Sequence, residues 1–332
     1  MTRRGLRLPL PSEQGRSACI EFGTLADECG IDTVWVPETW SRNSVVLMTQ
    51  LAERFDQATV GSGILNIFSR TPGLMAMTAA GMADVTAGQF RLGIGTSGPA
   101  VIENFHGQSF EHPLRRTREY IEIVDTLLAG EEIAYEGKIF DLSNFSLDEE
   151  VPYEIPIYVA AMGEHNLRLT GEFADGWLPL FVPLDAFEDA VETIAAGAEN
   201  RGRSLDDIDI APYVVTCISE EDPDGARDQV RSMLAFYVGA MGEFYHRTVS
   251  RFGYASEADA IRDAWQEDGP TEASEAVTDE LLDQFAIAGA PAEGRDRLTA
   301  YENVGVDMPT AYVPTNASQS TIRETIEWFA GN

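Results

Sequence analysis

Short apolar runs alternate along this chain with segments whose apolar positions recur every three or four residues. Runs of the first kind, ended by glycine, proline or polar residues, predict buried β-strands, and segments of the second kind predict amphipathic helices. In order, the pattern predicts a strand at 5–10, a helix at 17–29 stopped by Gly30, a short strand at 33–40 whose end presents Glu38, Thr39 and Trp40, and a helix at 44–55. Strand 59–65, helix 72–86, strand 90–94 and a helix at 114–128 follow, the last opened by His112-Pro113 and closed by Gly130. Residues 131–150 read as a hairpin excursion. Strand 155–161, helix 164–174, strand 176–181, helix 184–200 and strand 208–218 resume the alternation. Residues 222–288 are acidic and mostly helical and read as an insertion, after which strand 311–313 and helix 320–329 close the pattern.

Fully apolar strands alternating with helices predict parallel βα units, an α/β fold with both sheet faces covered. A doubly wound sheet and a closed barrel both satisfy that pattern. The count of about eight strands, with no break between two halves, favours a single (β/α)8 TIM barrel over residues 1–332. In a barrel the chemistry sits at the C-terminal strand ends, where Glu38-Thr39-Trp40, Asn66, Gly95-Thr96-Ser97 and Met162-Gly163 would meet.

Composition narrows the partners. The formal net charge is −32, and the 23 basic residues include a single lysine, Lys138. A surface of that sign repels nucleic acid and anionic membranes, leaving small molecules and other copies of the chain as expected partners. Because Asp and Glu are spread over every helix rather than gathered in a tail, the charge reads as adaptation to high salt. No apolar run is long enough to span a membrane and residues 1–15 have no secretory pattern, so a cytoplasmic location is expected. Cys19, Cys29 and Cys217 have no CxxC spacing and the four histidines no HxxxH spacing, so no metal is expected.

Two glycine-bearing strand ends carry the candidate chemistry. Gly93-Ile94-Gly95-Thr96-Ser97-Gly98 matches the dinucleotide GxGxxG pattern, but it follows the fourth strand and runs into Pro99. It reads either as a place where backbone approaches a ligand closely, with the Thr96 and Ser97 hydroxyls beside it, or as a tight turn. Ala160-Ala161-Met162-Gly163 precedes a helix, which suits a phosphate at the helix N-terminus or close packing of strand on helix.

Three stretches carry a family resemblance: TVWVPETW (33–40), VGSGILNIFSRTPGLMAMTAAGMADVTAGQFRLGIGTSGP (60–99) and IPIYVAAMGEHNLRLTGEFADGW (155–177). Together they resemble the luciferase-like flavin and deazaflavin oxidoreductases, and residues 41–66 are most similar to F420-dependent methylenetetrahydromethanopterin reductase. The resemblance implies a luciferase-like TIM barrel with coenzyme F420, or alternatively FMN, at its C-terminal face. It implies a non-prolyl cis peptide at Gly63-Ile64 behind the ring, Asn66 over the ring edge, and Ala160, Ala161, Met162 and Gly163 at the phosphate. It also implies a homodimer or higher homo-oligomer. Three departures stand out: Thr39 replaces a histidine, Arg7 replaces a carboxylate in the first strand, and Gly163-Glu164-His165 replaces Gly-Pro-Lys.

The expected activity is hydride transfer between F420 and a small organic substrate, with a methylene-tetrahydropterin or methylene-tetrahydrofolate one-carbon carrier as the family's example. Glu38 and Thr39 are the candidates for ring hydrogen bonding or proton movement, with a cap or salt bridge at the strand end as the alternative for Glu38. Arg7, Trp40 and Trp177 are the candidates for substrate contact, each with a packing or ion-pairing alternative. Tyr237, Tyr245 and His246 read as helix packing or as part of a lid. The alternatives are an FMN-dependent monooxygenase of the same fold and a non-catalytic F420-binding paralogue. The charge makes one prediction by itself: the thermal midpoint should rise steeply from low to molar salt, and a salt-independent midpoint would remove the high-salt reading.

Overall fold

The computed structural model describes residues 3–331. Its strands are β1 (Gly5–Arg7), β2 (Thr33–Val36), β3 (Thr59–Ser62), β4 (Leu65–Asn66), β5 (Phe90–Gly95), β6 (Ile133–Glu136) and β7 (Asp141–Phe145). They continue as β8 (Ile157–Val159), β9 (Gly176–Trp177), β10 (Asp209–Ile210), β11 (Tyr213–Ile218), β12 (Ala286–Gly289) and β13 (Thr310–Tyr312). The chain forms an α/β fold in which the helices follow the strands, and its residues group into two compact units.

One unit comprises residues 33–178 and 192–209. Its parallel strands run in the order β9-β8-β5-β3-β2, with β4 also paired to β5. Because all run the same way, their C-terminal ends share one edge. Both sheet faces are covered, so β2 and β8 are buried at every residue, as their apolar sequences require. Trp35 and Tyr158 meet edge to face at 5.0 Å in this core. Gly61 and Gly176 give these rings their room, since a Cβ would come within 2.4 Å of Trp35 and 2.2 Å of Tyr158.

The second unit comprises the described residues of 1–32, 179–191 and 210–332. Its strand order is β1-β13-β11-β12, again parallel. Between β11 and β12 lie the helices Pro223–Ala240, Glu243–Val249, Ala255–Glu267, Pro270–Glu275 and Asp279–Phe285, with a π-turn at Ser250–Tyr254.

Six expected elements change. The strand expected at 33–40 stops at Val36, ahead of Pro37, and strand 176–181 stops at Trp177. Strand 5–10 stops at Arg7, because Pro9 and Pro11 end the ladder and Pro11 opens the short helix Pro11–Gln14. Strand 208–218 is interrupted at Ala211-Pro212, where proline has no N–H to donate. The insertion ends at 285 rather than 288, since Ala286, Ile287, Ala288 and Gly289 pair in register with Val215, Thr216, Cys217 and Ile218. Strand 59–65 divides into β3 and β4.

The hairpin expected at 131–150 forms as the antiparallel pair β6-β7. A buried carboxylate fastens its turn to the unit. Glu119, 2% exposed on the helix Pro113–Leu128, accepts hydrogen bonds from the amides of Lys138, Ile139 and Phe140 at 3.0, 3.0 and 3.1 Å. Burial acts to raise the Glu119 pKa, but the three amides and nearby Arg115 outweigh it and hold the group below the ordinary carboxylate value. Gly137 must lack a side chain here, because a Cβ would lie 2.3 Å from Glu119 Oε2.

Candidate cofactor site

The site begins where β3 breaks. Gly61 pairs with Arg91 and Leu65 with Ile94, so three residues (62–64) oppose two (92–93), an extra residue of the kind that re-aims a strand end. The Ser62 hydroxyl fills the gap in the ladder. It donates to Gly93 O at 2.9 Å and accepts from Gly93 N at 2.8 Å. Gly93 has no alternative at this position, since a Cβ would sit 2.0 Å from Ser62 O. Gly63 N then donates to Val36 O at 2.8 Å, and the Gly63-Ile64 peptide is cis.

Beyond the bulge the shared edge is nearly free of large side chains. Gly95 is buried, and a Cβ there would lie 3.0 Å from Ile64 Cδ1 and 3.3 Å from Ala160 Cβ. Ile64, Gly95 and Ala160 are therefore immediate neighbours. Thr96 is half-buried and Ser97 exposed beside it, Ser97 with a left-handed φ of 57°. Ala160 N is fixed by Ile94 O at 3.0 Å, and Ala161 O receives the Trp177 indole N–H at 2.8 Å. Met162 and Gly163 lead into the helix Glu164–Phe173, whose N-cap Gly163 supplies no side-chain acceptor to the first-turn amides. Glu164 pairs with Arg168 at 3.4 Å.

The end of β2 is closed by a carboxylate. Glu38 binds Arg70 through both of its oxygens, and Oε2 also accepts from Ser44 N and Ser44 Oγ, each at 3.0 Å. Burial acts to raise the Glu38 pKa, but the paired guanidinium and the Ser44 bonds bring it below the ordinary value. Glu38 is thus held ionised as an anchor between the loop after β2, the start of the helix Ser44–Ala52 and the loop after β4, rather than as a donor of protons. Asn66 is also bound in place, its Oδ1 accepting from Phe68 N and Ser69 N at 3.2 and 2.7 Å, with the His106 ring 3.4 Å from its amide nitrogen.

A family model described as luciferase-like monooxygenase matches residues 4–308. The chain belongs to this luciferase-like family. It is 30% identical over 296 residues to the 5,10-methylenetetrahydromethanopterin reductase of Archaeoglobus fulgidus, covering 87% of each chain. It is 30% identical over 214 residues to an F420-dependent glucose-6-phosphate dehydrogenase of Microbacterium testaceum, covering 60% of this chain and 63% of that one. In structure it superposes on the coenzyme F420 dependent tetrahydromethanopterin reductase of Methanopyrus kandleri with a TM-score of 0.84 at 24% identity, over 99% and 97% of the two chains.

Set against this luciferase-like fold, the sequence-predicted residues sort into three groups. Gly63, Ile64, Asn66, Gly95, Thr96, Ser97, Ala160, Ala161, Met162 and Gly163 all lie at the C-terminal edge of one unit, as does Thr39 beside Glu38. Trp40 is 56% exposed and packs no core. Trp177 is corrected from a substrate contact to a support, because it is fully buried and spends its one donor on Ala161 O. Arg7 belongs to the other unit, at the end of β1 and 7% exposed. Arg70 was missed, although SRTP stands within the motif that carried the resemblance; its role depends on the distant Glu38. Among the described residues no cluster of His, Cys, Asp or Glu is arranged to hold a metal ion, and no helix is long and apolar enough to cross a membrane.

The anchor is open to test by denaturation. Glu38→Gln should cost about 1.5–3 kcal/mol, and Arg70→Met about 3–5 kcal/mol because it strands a carboxylate. A carboxyl whose folded pKa is depressed stabilises above its unfolded value, about 4.3, and loses that contribution as pH falls through the folded value. The gap between wild type and Glu38→Gln should therefore close below about pH 4; a gap that stays constant there would refute the anchoring role.

Proposed function

We propose that this chain is an F420-dependent oxidoreductase that transfers a hydride between the cofactor and a small organic substrate. The observation that carries the reading is the close approach of Ile64, Gly95 and Ala160 at the shared strand edge, where a Cβ at Gly95 would lie 3.0 Å from Ile64 Cδ1 and 3.3 Å from Ala160 Cβ. The family, and the F420 dependence named for two of the relatives above, support it. When bound, F420 supplies the two-electron hydride carrier. The chain's part is to hold, orient and shield. Gly63 and Ile64 would back the ring, Asn66 would reach its edge, and Thr96 and Ser97 would line its rim. The uncapped first-turn amides after Gly163 would receive the phosphate, with Arg168 offsetting Glu164. Thr39, beside the fixed Glu38, would offer the hydroxyl that hydrogen-bonds the ring or relays a proton. For the fold, we take the single closed (β/α)8 barrel expected from the alternation.

A second reading rests on the family description, luciferase-like monooxygenase, which favours FMN with oxygen as oxidant. The two are separated by titrating purified protein with F420 in molar salt and following the cofactor's absorbance and fluorescence. Wild type should saturate, and Gly95→Val should bind at least about tenfold more weakly, since branched methyls would crowd Ile64 and Ala160. Absence of any change with wild type, or copurified FMN that turns over with oxygen, would overturn the F420 reading.

We also propose that the protein is a homodimer. The helices Ser44–Ala52 and Pro72–Val85 lie together, with Thr49 Oγ1 3.7 Å from Met82 Sδ, and expose Val46, Leu74, Met77 and Val85. Asp84 is the only charge in either helix, on a chain of net charge −32. An uncharged apolar face on so acidic a surface suits a second copy of itself. Light scattering should report two chains per particle and, for Met77→Glu, one; a monomeric wild type would end the proposal.

A further inference from the structure

Arg7, at the end of β1, is a buried cation with an unsatisfied donor. Its Nη1 is buried without a hydrogen bond, and the nearest acidic oxygen, Glu13 Oε2, stands 3.9 Å away and already accepts from Leu10 N. The guanidinium lies over the Tyr312 ring at 4.0 Å. That contact engages the face of the cation and leaves its N–H edge free to donate. A buried guanidinium is stable only when an anion meets that edge, since a desolvated charge without hydrogen bonds is among the costliest groups a fold can hold.

The surroundings of Arg7 are phenolic. Tyr213, Tyr237, Tyr245 and Tyr312 are all close enough to interact with its charge. The Tyr213 hydroxyl is a second buried polar group without a partner. The Tyr237 and Tyr312 hydroxyls bond to each other at 2.8 Å, so the one that donates has spent its proton and the one that accepts keeps an O–H to donate. Phe181 completes the group, 4.7 Å from the Tyr237 ring and 5.4 Å from that of Tyr245. Its backbone is left-handed, with φ 57°, a conformation a bulky residue rarely adopts. Tyr213, Tyr237 and Tyr245 are half-buried as residues, while Arg7 Nη1 and the Tyr213 hydroxyl are themselves buried, two unpartnered polar atoms in one aromatic cluster.

We propose that Arg7 and Tyr213 receive the carboxylate of an organic acid, whose apolar body rests against Phe181, Tyr237 and Tyr245. Arg7 presents two parallel N–H donors to a planar carboxylate, and the Tyr213 hydroxyl adds a third. The aromatic rings select for an unsaturated or aryl body over a bare oxyanion. The site lies wholly within one unit, and the binding itself needs no cofactor.

The test is calorimetric titration of the full chain, without F420 and at constant ionic strength, with benzoate, inorganic phosphate and benzyl alcohol. Benzoate should bind saturably in the millimolar range or tighter. Phosphate, which lacks the body, and benzyl alcohol, which lacks the charge, should each bind at least about fivefold more weakly. Arg7→Met should weaken benzoate at least about tenfold, Arg7→Lys less, because an ammonium keeps charge but not the fork. Tyr213→Phe, which removes one oxygen and so preserves the fold if Arg7→Met does not, should weaken it about three- to tenfold. No saturable benzoate binding, phosphate binding as tightly as benzoate, or an unchanged Tyr213→Phe would overturn the proposal. Benzoate binding without F420 binding would instead overturn the cofactor reading and leave this one standing.

Discussion

The candidate site depends on a hydroxyl where a backbone group would ordinarily be. Parallel strands exchange amide bonds along their length, and any residue that leaves the ladder orphans a donor and an acceptor. At β3 the Ser62 side chain takes both, donating to and accepting from the same residue, Gly93. The ladder can therefore be interrupted without a buried polar debt. From that insertion follow the restart of pairing at Leu65, the place of Ile64 opposite Gly95, and the turn in which Asn66 holds the amides of Phe68 and Ser69.

A second constraint is charge. Carboxylates far outnumber cations, and while several arginines pair within one helix turn, others join segments distant in sequence. Arg70 reaches Glu38 across two elements, Arg4 reaches Glu302 from the other end of the chain, and Arg227 and Arg231 share Asp279. These contacts use the planar fork that lysine lacks, which accords with the near absence of lysine. Arg7 differs in that its buried Nη1 has no hydrogen bond and its one carboxylate, Glu13, stands 3.9 Å off, which gives it a claim to a ligand.

Periodicity and length made most of the architecture legible. Helix starts at Pro72 and Pro113 and the stop at Gly30 fell where proline and left-handed glycine place them. The errors were local and shared a cause: the apolar run 59–65 continues straight through a bulge that only the register with β5 reveals, and AIAG at 286–289 is too short to stand out after sixty acidic helical residues. The candidate site was legible as a set of strand ends. Its residue roles were not, because they depend on partners far away in sequence. Glu38 reads as a catalytic acid until Arg70 occupies it, and Trp177 as a stacking surface until burial hides it. The tyrosines around Arg7 lie on separate elements, and no motif joins them.

The hairpin tether has a practical side. Lys138, the chain's only side-chain amine, is exposed at the tip of a turn whose backbone is pinned by Glu119. Reagents that acylate amines will therefore find one side-chain address, on a rigid loop at the periphery of its unit. A fluorophore, spin label or surface linker attached there reports or immobilises from a known point, with no engineered cysteine needed. A composition with one lysine thus leaves a single side-chain amine for labelling, beside the α-amino group.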